Sequence, residues 1–98
     1  MAETLKIVAR INAEPGEAEG LVAEMKRLVK EVREEPGCLQ YDLYRGSDKP
    51  DVLVFVEEWE SRELWEAHMA GDALARFNER IGTGKIRDGE VHPLNRVI

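Results

Sequence analysis

The hydrophobic pattern of this chain reads strand, helix, strand, strand, helix, strand. That order predicts an α+β fold, the ferredoxin-like βαββαβ arrangement, in which a four-stranded antiparallel sheet carries its helices on one face. Two further observations agree. Turn formers fall at the element boundaries, and Pro93 sits in the last strand. Proline cannot donate a ladder hydrogen bond, so Pro93 marks an edge, which is where this topology puts its fourth strand.

Residues 5–12 alternate, with Leu5, Ile7, Ala9 and Ile11 on one side and Lys6, Val8, Arg10 and Asn12 on the other. A period of two is that of a half-buried strand, and Pro15-Gly16 stops it. From Ala18 to Glu35 the apolar positions Leu21, Met25, Leu28, Val29 and Val32 recur at helical spacing, which predicts an amphipathic helix closed by Pro36-Gly37. Its other face mixes Lys and Arg with Glu and reads as solvated. Cys38 to Arg45 alternates again, with Leu39, Tyr41 and Leu43 opposite Cys38, Gln40, Asp42 and Tyr44. Residues 46–51 are dense in turn formers.

The third strand, Val52 to Trp59, begins Val52-Leu53-Val54-Phe55-Val56 and is apolar on both parities. Such a strand needs cover on both faces. The helices supply it on one, so a second copy is expected on the other, in a two-fold homodimer through the sheet face. Ser61 is a suitable helix N-cap with Glu63 in the first turn. The helix runs to about Ala70 and is interrupted at Gly71-Asp72. Asp72 is placed to cap a second segment through Ile81, Gly82 closes it, and the last strand is expected around Val91 to Val97.

With 98 residues the chain fits a single domain, residues 1–98. A domain of this size buries about 60–65% of its unfolded surface, so oligomerisation would help it. Fourteen basic residues against twenty acidic give a net charge of −6, which argues against a nucleic-acid surface. The longest apolar run is five residues, Val52 to Val56, far short of a membrane span. Met1-Ala2-Glu3-Thr4 lacks the basic start and apolar stretch of a signal peptide, and Cys38 is the one cysteine. Both predict a cytoplasmic setting.

Most catalytic patterns fail. Gly82-Thr83-Gly84-Lys85 lacks the glycine at Glu79 and the hydroxyl at Ile86 that a phosphate loop requires. His68 and His92 lie 24 residues apart with no metal-ligand spacing, and Cys38 has no activating partner in sequence. One feature stands out. On helical wheels His68 shares an arc with Leu64, Ala67 and Gly71, and Asn78 shares one with Leu74, Phe77 and Ile81. Polar groups aimed at a sheet need hydrogen-bond partners there, or a cavity holding water or ligand. Taken alone, an inward histidine is more often structural.

Glu35-Pro36-Gly37-Cys38-Leu39-Gln40-Tyr41, then Glu57-Glu58-Trp59-Glu60-Ser61, then His68 in the following helix, resemble the antibiotic-biosynthesis monooxygenase family of small dimeric α+β barrels. The likeness covers nearly the whole chain. It implies a dimeric α+β barrel acting on small molecules, with family activities that include quinol and polyketide monooxygenation without metal or flavin, isomerisation of small sugar-like phosphates, and haem degradation. Haem degradation does not fit, because that branch's asparagine, tryptophan and histidine align with Ala9, His68 and Asn78. Isomerisation of a phosphate calls for cations, and only Arg10, Arg76 and Arg80 offer themselves.

The leading expectation from the resemblance is therefore a cofactor-independent monooxygenase of small quinols or phenolic compounds, with dioxygen as co-substrate. An isomerase or lyase, or a non-catalytic ligand-binding dimer, are the alternatives. His68 is the expected base, since imidazole titrates near neutral pH. Asn78 and Tyr41 are expected to hold the oxyanion, and Trp65, Phe77 and Leu74 to wall the substrate. Trp59 reads as core and His92 as an interface or surface residue.

Overall fold

A computed structural model describes residues 3–98. Met1 and Ala2, which open the segment read as lacking a leader, lie outside them. The elements are β1 (Leu5–Ala13), α1 (Ala18–Val32), β2 (Cys38–Arg45), β3 (Val52–Trp59), α2 (Arg62–Met69), α3 (Asp72–Ile81) and β4 (Ile86–Leu94). The four strands form one sheet in the order β2-β3-β1-β4, with every pair antiparallel. This is the expected ferredoxin-like topology, with β4 on an edge.

Strand parity fixes which side chains meet the helices. Leu5, Ile7 and Ala9 of β1 and Leu53, Phe55, Glu57 and Trp59 of β3 are buried on that side. Leu21, Met25, Leu28, Val29 and Val32 of α1 pack over them as the sequence stripe requires. The opposite parity carries Val8, Val54, Val56 and Tyr44, joined across the sheet by His92 and Leu94 of β4. No helix covers this outer face.

Several boundaries differ from the sequence pattern. The first helix ends at Val32, three residues before Glu35. The residue before a proline is driven out of the helical region, and the chain tightens through bonds from Glu34 N–H to the Glu31 carbonyl and from Glu35 N–H to the Val32 carbonyl. This early end leaves Glu35 in the turn between α1 and β2, where its carboxylate meets His68 of α2. In β2 a bulge between Cys38 and Gln40 puts Leu39 out of phase, and it is exposed instead of facing inward with Tyr41 and Leu43. Cys38 packs against the core in its place.

The short α2 is capped by the Ser61 hydroxyl, which accepts from Leu64 N–H at 3.2 Å. For α3 the N-cap is Gly71, and Asp72 is the first helical residue, favourable to the helix dipole instead of capping it. The last strand starts at Ile86 and ends at Leu94, earlier than the Val91–Val97 expected. Its first half, Arg87-Asp88-Gly89-Glu90, has no hydrophobic pattern and is held by ladder pairing to the long β1. The glycine turn before it is correspondingly short.

Gly37 joins this frame together. Its φ of +82° disfavours any side chain, and a Cβ there would lie 2.5 Å from Leu64 Cδ1 on α2. Gly37→Ala is expected to cost about 1–3 kcal/mol and to loosen α2. Urea denaturation monitored by circular dichroism checks it, and an unchanged midpoint would contradict the close approach.

Candidate functional site

The site is built on Trp59, the last residue of β3, which is fully buried. The His68 imidazole from α2 stacks on its indole at 4.7 Å between centroids and 26° between planes. Tyr41 from β2 meets His68 edge-on at 5.5 Å and Trp59 at 6.4 Å, and lies 5.2 Å from Phe55. Two residues before Trp59, on the same inward parity, Glu57 accepts a hydrogen bond from the indole Nε1–H at 2.9 Å.

His68 Nδ1 lies 2.7 Å from Glu35 Oε1. A carboxylate only accepts, so Nδ1 carries the proton and donates it, which leaves Nε2 with its lone pair. Burial holds the His68 pKa below its ordinary 6.5, and Glu35 acts against that shift. The ring is therefore neutral at pH 7. Burial pushes Glu57 the other way, from 4.5 to about 7, with the Trp59 hydrogen bond opposing and the Glu35 charge adding. Tyr41 is raised well above the usual phenol range by burial first, then by Glu57 and Glu35. It stays a neutral hydroxyl.

These groups face a cavity of about 260 Å³ between the sheet and the α2–α3 pair. Tyr41, Glu57, His68 and Asn78 supply its polar lining. Phe55, Phe77, Leu74 and Met69 are among its apolar walls, and no Lys or Arg side chain is among its lining residues. Asn78 and Val91 are exposed and also line the cavity, so it opens between α3 and the uncovered β4. His68 borders a second, shallower depression of about 230 Å³ with Glu35, Pro36 and Leu64.

Five of the residues singled out from sequence thus meet: His68, Tyr41, Phe77, Leu74 and Asn78. The inward arc placed Asn78 within the core; it stands at the rim, because α3 turns Phe77 and Ile81 down instead. Trp65 is elsewhere. It is half-buried beneath the Arg62 guanidinium, 5.6 Å from the ring centroid, and does not line the cavity. Its ring packs against the core from α2 but outside the cavity lining. Arg10 is paired with Glu90 on the outer sheet face, while Arg76 and Arg80 bind Glu31 and Glu24 of α1.

Sequence reasoning gave no role to Glu35 or Glu57. A charged residue on the inward row of β3, between Phe55 and Trp59, was the available signal for Glu57. Glu35 had none, because its position depends on where α1 ends. Among the described residues no group of three or more His, Cys, Asp or Glu is placed to hold a metal ion, and no helix is long and apolar enough to cross a membrane.

Residues 4–80 match the family model for antibiotic biosynthesis monooxygenases. The chain belongs to that family. It is 26% identical over 82 residues to Rv0793 of Mycobacterium tuberculosis, named for a monooxygenase, covering 84% of this chain and 80% of that protein. It is 29% identical over 87 residues to YgiN of Escherichia coli, named for a quinol monooxygenase, covering 79% of this chain and 84% of that one. Among solved structures, PA3566 of Pseudomonas aeruginosa superposes with a TM-score of 0.87 at 32% identity, covering 100% of this chain and 98% of that one.

The buried carboxyl makes a stability prediction. The folded pKa of Glu57 lies above its unfolded value, so the folded state binds the extra proton between about pH 4.5 and 7. Its stabilising effect is full below pH 4.5 and is lost as pH rises through about 7. Glu57→Gln keeps the acceptor for Trp59 and removes the titration. Relative to wild type, the variant is expected to gain up to about 3 kcal/mol between pH 4.5 and 7.5. Urea midpoints across that range measure it, and a constant difference would mean that Glu57 titrates normally.

Proposed function

We propose that this chain is a cofactor-independent monooxygenase that oxidises small quinols or related phenolic, polyketide-like compounds with dioxygen. The observation that carries the reading is the cavity, an apolar pocket with one neutral imidazole and one high-pKa carboxyl and no cationic lining. Its volume is below the roughly 300–1,000 Å³ of drug-sized sites, which suits an uncharged compound of one or two rings. The quinol monooxygenase name of YgiN points the same way.

The lack of lining cations weighs against a phosphorylated substrate for an isomerase on this scaffold. The open cavity weighs against a purely structural dimer, whose interior would be packed around His68 and Asn78. The scaffold alone decides neither, since one fold hosts several reactions.

Dioxygen accepts one electron readily from a phenolate and poorly from a neutral phenol. Neutral His68 takes the phenol proton at Nε2, and Glu35 steadies the imidazolium that forms. A phenol near pKa 10 and an imidazole below its ordinary 6.5 leave this transfer uphill by at least about 3.5 units. Hydrogen bonds to the phenolate offset that difference, from the Asn78 amide at the rim and the Tyr41 hydroxyl within. Phe77, Leu74 and Met69 keep water from the ring and strengthen both bonds. The electron passed to dioxygen leaves an aryloxyl radical and superoxide, which combine at a ring carbon.

The partner in the proposed homodimer covers the outer sheet face, where Val8, Val54, Val56 and Tyr44 have no helix over them. A reducing cytoplasm suits Cys38, whose thiol pKa is raised by burial first and then by Glu35 and Glu57. Metal-free, flavin-free protein is expected to consume oxygen with hydroquinones, catechols or anthrone-like polyphenols, adding one oxygen atom to the product. His68→Ala should lower turnover by about 10²-fold or more and leave a species of twice the chain mass by light scattering. Unchanged turnover would remove His68 from the mechanism, and a wild type that consumes no oxygen across the panel would overturn the reading.

A further inference from the structure

Oxygenation by this route ends on a step that His68 alone does not complete. A ring hydroperoxide becomes product when a base removes the proton from the carbon that bears it. The electron pair then forms a new C=O bond, the O–O bond breaks, and the departing oxygen takes a proton and leaves as water. One group must accept a proton while another donates one. We propose that Glu57 is a second catalytic residue, the acid that protonates the departing peroxide oxygen, an inference that rests on the monooxygenase reading above.

Geometry carries it. Glu57 is a carboxyl only 4% exposed, and it lines the same cavity as His68. Among the described residues Trp59 is the only side chain that hydrogen-bonds it, through Oε1. That leaves Oε2 for the cavity. The groups around it are Trp59, the neutral Tyr41 and His68, the Cys38 thiol and the Glu35 carboxylate, so nothing cationic favours its ionisation. Its pKa of about 7 agrees with a proton held at neutral pH and available for transfer.

The sequence of protons closes. His68 takes the phenol proton and returns it to the peroxide anion formed when superoxide joins the ring. Neutral again, His68 removes the ring C–H proton while Glu57 gives its own to the departing hydroxide. The imidazolium then reprotonates Glu57. The sum is quinol and dioxygen to hydroxyquinone and water, with four electrons moved from the ring to dioxygen.

A purely structural Glu57 would serve only as acceptor for the Trp59 N–H. Glu57→Gln keeps that acceptor and cannot supply the proton, so it separates the two roles. Without the acid, the hydroperoxide breaks at its C–O bond and releases quinone and hydrogen peroxide, which balances quinol and dioxygen. In the variant, hydroxyquinone formed per oxygen consumed is expected to fall at least tenfold while hydrogen peroxide rises toward one per oxygen. Circular dichroism should be unchanged. An unchanged product ratio in a turning-over variant would overturn the inference alone, as would lost oxygen uptake without peroxide, which puts Glu57 in an earlier step. A Glu57 carboxyl fully ionised at pH 6 by carbon-13 NMR would overturn it independently of any substrate. A wild type that takes up no oxygen would remove the parent reading and this inference together.

Discussion

Trp59 makes three contacts at once, and the rest of the site depends on them. Its face carries the His68 ring, its Nε1–H holds Glu57, and its edge lies against Tyr41. Each contact comes from a different element, so one buried indole sets the spacing of β2, β3 and α2 around the cavity. Burying an imidazole and a carboxyl is costly unless each finds a partner. Here the indole N–H serves Glu57, and Glu35 reaches His68 only because α1 stops early before Pro36. Fold and chemistry therefore share residues, and a change that unseats Trp59 disturbs both.

Desolvation acts on the two titratable groups in opposite directions. It lowers the pKa of His68, which is neutral near pH 7, and raises that of Glu57 to about 7, so that about half of the Glu57 carboxyl keeps its proton there. The cavity is then nearly neutral inside a chain of net charge −6. No lysine or arginine lines it, and its two titratable groups sit where a proton can be taken up or given near neutral pH. The Arg side chains that a phosphate would require are occupied in ion pairs on the outer sheet face and between α3 and α1.

Much of the fold was legible in the sequence because its strands and helices differ in period. The alternation of β1, the stripe of α1, the break at Gly71 and the two-sided apolar β3 each follow from a simple spacing rule. The bulge that exposes Leu39 was not legible, since it shifts register without changing composition. Nor was the start of β4, whose Asp88-Gly89-Glu90 segment is held by pairing with β1 against its own propensity. For the site, a helical wheel was enough to point His68 inward. It was not enough for Trp65, which lies away from the opening, or for Glu35, placed by a proline-dependent helix end. Glu57 was visible as a charge on an inward row, and only the geometry of the Trp59 N–H gives it a partner.

The fate of dioxygen during turnover of a quinol tests the central claim most directly. With oxygen-18 gas in unlabelled water, the account predicts one labelled atom in the hydroxyquinone and the other in water, with little peroxide. Because a quinone oxygen can exchange with water, the product is trapped by reduction at early times. A product without label, formed while oxygen is consumed, would contradict insertion of dioxygen into the ring and leave an oxidase in its place.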